Sequence, residues 1–501
     1  MRKQIYALIF ALSVFIPVAC DDFLTQLSEN DTTVDNFFNT EENVETAVYG
    51  MHERFRSELG DFLQAYRDRG ILLDNFGYNE WGESTNHNLT LFPADSPEFN
   101  WRDEYLVVSS ANLVINNIDR AHMPVERRNF YLGQALCVRA YLYFYIIRLW
   151  GDAPLVLKYE DLSEKGRTPW REIADQVVED LKLAVQYLPP ADSLKDSGGK
   201  ALTDKQIPSR GTAYALLAHV YAWIAGYGQE PEYYAKGIAA AEKVMSDPNY
   251  SLVDSPEEIC TEVIPGNSRE GIFEICYDYE RDEIKSSGSY IGGAVEKWPV
   301  IKGTTPATKR SFNVLNTTIE QLYTPGDLRL AAYFVDFFEM KQWDESVTQG
   351  AAYVQMWRYV EYYEGGSSEG KPKTFIANEI LIRLADIILL HAEMNAAIGR
   401  NDLAEASLNK IRERAGVADY SASEGDLRRA IQLERDKELL FQTGVRYFDY
   451  MRNRTYNLLK GGFKTLTEQD VKDGALFLPV SIDAMNNNPA TKQTPYWLGK
   501  F

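Results

Sequence analysis

Histidine and cysteine are both scarce in this chain of 501 residues, with five of the first and four of the second. His52, His87, His122, His219 and His391 are scattered, no two at the spacing of metal ligands on one turn or helix, which argues against a zinc site. His391 and Glu393 match the H-x-E half of the zinc deaminase signature, but the P-C-x-x-C half is absent, so His391 reads as a helix-face residue near the core. Positive charge is also short: 52 Lys and Arg face 73 Asp and Glu, for a net charge of −21. With no Lys/Arg cluster to meet a phosphate backbone, nucleic acid is set aside as a partner. At the N-terminus stands an apolar run, Ile5 to Val18. That run is short of the roughly 20 residues a spanning helix needs and is interrupted by Pro17.

Arg2 and Lys3 before the run and Ala19 after it give the three-part layout of a secretory signal peptide over residues 1–19. Its removal takes away two positive charges and no acid, moving the net charge to −23. Cleavage directly before Cys20 resembles the lipobox of bacterial lipoproteins, with Pro17 where an apolar residue is usual. An acylated Cys20 would fasten the chain to a membrane surface without a spanning helix. Cys137 lies in an apolar helical pattern and reads as a small buried hydrophobe. Cys260 and Cys276 have an oxidising compartment in which to pair or to remain free; their connectivity is open at this level.

Helical signals dominate both ends of the mature chain. Trp101 to Ala121 and Glu126 to Trp150 read as long helices, the second apolar enough to be buried and stopped by Gly151 and Pro154. A second pair follows from Pro208, with Tyr214, Leu217, Ala218 and Tyr221 on one face and Ile238, Ala241 and Met245 on another. A third, EILIRLADIILLHAEMNAAIGRNDLAEASLNKIRERAG, turns at Gly399 to Asp402 and stops at Gly416. Hairpins close to 34 residues long suggest divergent tetratricopeptide-like repeats, two to four in number, stacked face to face. Residues 255–375 differ, being rich in Gly, Pro, Ser, Thr and aromatics with short strand-like pieces such as EGIFEICY and YVQMWRYVEYY. The expected organisation is therefore 20–100 (N-terminus, first helix and loop region), 101–254 (helical scaffold), 255–375 (loop-rich, ligand-binding) and 376–501 (C-terminal helical repeat and closing segment). The fold class is mainly α.

Catalytic signatures are weak. Gly365, Gly370 and Lys371 fit the spacing of a phosphate-cradling loop, but Pro372 supplies no hydroxyl for a magnesium ion and resists the helix the motif must open; the run reads as a flexible loop. Glu434, Arg435, Glu438, Arg446 and Asp449 lie at helical spacing and read as a structural charge network. No catalytic residue, metal or cofactor is assigned.

Several segments together resemble the SusD/RagB lipoproteins of Bacteroidetes: CDDFLTQ with FFNTEENVETAVYGM, RAYLYFYIIRLWGDAPLV, RLADIILLHAEMNAAIG with LNKIRERAG, ERDKELLFQTGVRYFDYMR, and LFLPVSIDAMNNNP. They occur in that family's order over essentially the whole mature chain, with Gln442 where an acid is more usual. The resemblance implies a SusD-like fold and a nutrient-capturing lipoprotein on the outward face of the outer membrane, anchored at Cys20. It also implies a SusC-like TonB-dependent transporter as partner.

On that reading the ligand is a glycan, held without chemistry. A sugar offers an apolar C–H face to flat exposed rings and a hydroxyl rim to amides and charges. The candidate contacts are Tyr78, Asn79 and Trp81 in DNFGYNEWGESTN, with Tyr290, Trp298, Trp343, Tyr362 and Tyr363 from the middle region. Trp101 opens a helix and reads as structural. Peptide capture, as the RagB branch implies, and surface glycoside hydrolysis by paired carboxylates are the alternatives.

Overall fold

The computed structural model describes residues 34–59, 77–79, 94–96, 99–277, 300–301, 312–342, 350–442, 445–459 and 461–500. The longer helices are α1 (Glu41–Leu59), α2 (Arg102–Asn117), α3 (Val125–Trp150), α4 (Trp170–Tyr187), α5 (Arg210–Gly226), α6 (Tyr233–Met245), α7 (Leu384–Ala397), α8 (Asn401–Arg414), α9 (Leu427–Glu438) and α10 (Val445–Arg452). The strands are β1 (Gly77–Asn79), β2 (Gly271–Ile275), β3 (Phe312–Leu315), β4 (Ala351–Ala352), β5 (Val360–Tyr362), β6 (Pro372–Phe375) and β7 (Glu379–Arg383).

Local chemistry explains the helices. In α1, Glu41 and Glu42 sit where the helix dipole favours acids, and Val44, Val48, Met51, Phe55 and Leu59 make one buried stripe. Ser209 and Thr212 close a capping box at the start of α5, and Asp426 accepts from the Arg429 amide to start α9. Helix α3 is long and apolar enough to cross a membrane, yet 94% of that stretch is buried inside the protein, so it is a core helix. Gly133 within α3 lets Leu188 approach: a β-carbon there would meet Leu188 Cγ at 2.8 Å. Gly151 ends the helix at φ 70°, in the left-handed region glycine favours.

The hairpins stack in chain order. α1 packs on α2, α3 on α4, α5 on α6 and α7 on α8, while α2 against α3, α4 against α5 and α6 against α7 join successive pairs. This is the expected tetratricopeptide-like stack. The three hairpin-bearing stretches expected from the sequence are helical where expected, with one correction. Glu379–Arg383, read as the start of a helix, is strand β7, paired antiparallel with β2. Its short apolar run, Ile380 to Ile382, carries no period that separates strand from helix, and the β2 partner decides.

Among the described residues the buried apolar side chains form two large cores and a small cluster of Val335, Met340 and Tyr353. The larger joins the helices with β2 and β7. The smaller gathers Ile259, Val263, Ile319, Tyr333, Phe334, Trp357, Phe375 and Leu440 beneath the middle region. Trp101 is buried edge-to-face on Trp150, as expected of a structural residue. Cys137, Cys260 and Cys276 are all buried and free, so Cys260 and Cys276 do not pair.

Ionic clusters bind these parts. Arg383 meets Glu270 at 2.6 Å and Glu438 at 2.7 Å, Arg414 meets both carboxylates, and Arg329 meets Glu438 at 3.3 Å, Glu434 at 2.6 Å and Asp327 at 2.8 Å. Burial alone would raise the Glu438 carboxyl, but Arg414, Arg383 and Arg329 hold it below its ordinary value. A second cluster links Arg435 to Asp386 and Asp449, and Arg452 to Asp449 and Glu393. His219 Nε2 approaches Asp386 to 2.9 Å, off the line of a good hydrogen bond. Of the charges read from the sequence as a structural network, Glu434, Arg435, Glu438 and Asp449 are buried in these clusters and tie elements together rather than decorating one helix surface, while Arg446 is half-buried and pairs with Asp436 at 2.8 Å.

Candidate functional site

Three features of the middle region come together around the smaller core. The first is a three-stranded antiparallel sheet in the order β1–β3–β4. Tyr78 pairs with Asn313 and Asn79 with Phe312, while Val314 pairs with Ala352 and Leu315 with Ala351. The sheet therefore brings the segment of Tyr78 and Asn79 beside strands more than 200 residues away in sequence. Trp81, Tyr290, Trp298 and Trp343, like Cys20, lie outside the described residues.

The second feature is the β5–β6 hairpin. Val360 pairs with Phe375, Glu361 with Thr374 and Tyr362 with Pro372, with an irregularity between Glu361 and Tyr362. Tyr363 is 39% exposed, Tyr362 is half-buried, and Tyr359, which sequence reasoning passed over, is 40% exposed. The turn uses Gly365, Gly366 and Gly370, all at positive φ, and is closed by Gly370 N donating to Tyr363 O and Tyr363 N donating to Lys371 O, both at 3.0 Å. The phosphate-loop look-alike is thus a hydrogen-bonded hairpin turn rather than a loose loop. Gly366 to Gly370 also fits the letters G-x-S-x-G, but it joins two strands instead of a strand to a helix and forms no nucleophile elbow.

The third is a groove of about 470 Å³ lined by Gly326, Asp327, Leu328, Leu330, Ala331, Asp336, Phe337, Phe338, Glu339 and Gln355. Its walls are two short helices, Leu328–Tyr333 and Phe337–Met340. Asp327 caps the first by accepting from the Arg329 amide and binds the Arg329 guanidinium, so the buried cluster fixes this wall. Between the helices the chain reverses through Asp336 at φ 33°, a left-handed conformation costly for a residue other than glycine. That reversal buries Phe337 in the smaller core and leaves Phe338 53% exposed. Gln355 braces the floor, its Nε2 donating to Ala331 O at 2.7 Å and Phe334 O at 3.1 Å. Asp336 and Glu339 are exposed and form no ion pair among the described residues. An exposed ring beside free carboxylates offers an apolar face together with hydrogen-bond acceptors.

Two family models match the chain: one described as the SusD family over residues 339–497, the other as starch-binding associating with the outer membrane over 22–222. The chain is a SusD-like family protein. A SusD-like protein P38 of Formosa agariphila is 25% identical over 97% of each chain, and a SusD-like protein of Bacteroides ovatus is 22% identical over 94% of this chain and 88% of its own. A crystal structure of a SusD homolog from Bacteroides thetaiotaomicron superposes with a TM-score of 0.77 at 22% identity, covering 92% of this chain and 99% of the other. A SusD superfamily structure from Parabacteroides distasonis gives 0.70 at 18% identity, over 90% and 98%. The SusD-like fold is therefore shared, while Asp336 and Phe338 precede the matched C-terminal region and Gln355 lies within it. The signal for the groove in the sequence is FVDFFEM: of two adjacent rings in a short helix, only one can face the core.

Proposed function

We propose that this SusD-like protein captures oligo- or polysaccharide at the outward face of the outer membrane, anchored through acylated Cys20, and passes it to a SusC-like TonB-dependent transporter without chemical change. The reading rests on the family match described as starch-binding with outer-membrane association, which spans the segment of Tyr78, Asn79 and Trp81. The carrying structural observation is the groove, where exposed Phe338 stands beside unpaired Asp336 and Glu339. A pyranose ring stacked on Phe338 leaves its hydroxyls within the polar rim; the rings of Tyr359, Tyr362 and Tyr363 supply further platforms. Trp81, Tyr290, Trp298 and Trp343 are proposed contacts of the same kind.

The test is affinity electrophoresis and calorimetry against a panel of soluble polysaccharides. Phe338→Ala and Tyr363→Ala each weaken binding to the cognate glycan about tenfold, the scale of one lost stacking contact. Because both rings are exposed, the melting temperature stays within 1–2 °C, as roughly expected of surface substitutions. Unchanged affinity in both variants and in Trp81→Ala would place the glycan elsewhere.

A further inference from the structure

A second cavity, of about 270 Å³, shares no lining residue with the groove and opens beside the start of α5. Its chemistry is set by Lys205. The Lys205 backbone is pinned, its N–H donating to Asn267 Oδ1 at 2.9 Å and its carbonyl accepting from Glu274 N at 3.3 Å. Its side chain is half-buried, with the amine 5.3 Å from the centroid of the Tyr250 ring. Lys205 makes no ion pair among the described residues, although the protein carries a net charge of −21.

The other lining cation is already paired, and the nearby carboxylates hold other donors while acting on Lys205 only from beyond ion-pair distance, Glu274 with one oxygen left without a hydrogen-bond partner. Asp204 accepts from the Gln206 amide at 2.8 Å, and Asp247 accepts from Asn249 through both its backbone and side-chain nitrogens. Glu274 accepts from Asn267 N at 2.9 Å and Asn378 Nδ2 at 2.7 Å. Asp192 is exposed and holds Ser193 Oγ; Arg269 is taken by Asp254 and Glu258. A cation partly withdrawn from water, with carboxylates acting on it but none within ion-pair distance, gains when an anion comes into direct contact. The rest of the lining mixes Thr203, Asn249 and Ser268 with Leu202 and Ile272, which suits a small body carrying hydroxyls as well as an apolar face.

We infer that this cavity binds a small carboxylate of about hexose size, such as a sugar acid, with its carboxylate on the Lys205 ammonium. Titration of the intact protein with sodium glucuronate, followed by calorimetry or ligand-observed NMR, gives saturable binding. Lys205→Met weakens it at least tenfold, while Lys205→Arg holds it within a few-fold. Thr203→Trp, at the exposed rim, blocks it without touching the amine and covers the case in which Lys205→Met fails to fold. Phe338→Ala leaves it unchanged, which separates this site from the glycan groove. Absence of saturable glucuronate binding, equal binding of uncharged glucose, preference for inorganic phosphate, or indifference to both Lys205→Met and Thr203→Trp overturns the assignment.

Discussion

Glu274 shows how one buried side chain sets a pH response. Both neighbours of its Oε2 are donors, yet Oε1 has no hydrogen-bond partner and lies over Gly271, where a β-carbon would collide with it. Burial is the largest influence and pushes the carboxyl up from 4.5 to about 7, with Asn378, Asn267 and Lys205 pulling the other way. A carboxyl held above its unfolded value stabilises the fold fully below that value, and the contribution is lost as pH rises through about 7. Glu274→Gln keeps an acceptor for the same donors and removes the titration. Chemical denaturation between pH 5 and 8 therefore shows wild-type stability falling relative to the variant by up to about 3 kcal/mol. Parallel curves for the two proteins would contradict this. Asp386 behaves oppositely: burial alone would raise it, but His219 and Arg435 draw it well below the usual carboxylate range, so its contribution is lost only on acidification.

At the scale of elements, strand β7 carries the joint between the cores. Arg383 sits between Glu270 before β2 and Glu438 at the end of α9, and its Nε also donates to Gln442 Oε1 at 3.1 Å. Gln442, which stands where an acid is more usual, thus still serves as an acceptor for this guanidinium. Arg383→Met removes one cation and leaves two buried carboxylates short of a partner, a change that costs about 3–5 kcal/mol. Urea denaturation measures it, and a loss under 1 kcal/mol would show that Arg414 and Arg329 alone neutralise the cluster. The helices were legible because their apolar spacing repeats over several turns. α4 has no counterpart among the expected hairpins, although Ile173, Val177, Leu181 and Ala184 mark its buried stripe at helical spacing. β7 was not legible, since Ile380, Leu381 and Ile382 fit either structure until β2 is placed beside them. The groove was legible least: exposure of Phe338 follows from the reversal at Asp336, and no local pattern announces a left-handed aspartate.

The whole molecule divides its labour between a stacked helical scaffold and a smaller, strand-bearing region that presents rings and free carboxylates. The buried arginine–carboxylate cluster is what holds the second against the first, through β2, β7, α8, α9 and the helix of Arg329. Sequence motifs carried the scaffold and the family because stacking repeats constrain residue type at many positions. The ligand surface is constrained only by exposure, which depends on how distant segments such as 77–79 and 312–315 meet. The central claim is that this surface binds glycan and leaves it intact. Calorimetric titration of the purified protein with soluble polysaccharides, run beside an assay for released reducing ends, tests it most directly. The account predicts saturable binding to at least one polysaccharide with no release of reducing ends. Release abolished by a single substitution such as Asp336→Ala or Glu339→Ala, or binding confined to extended peptides, would contradict it.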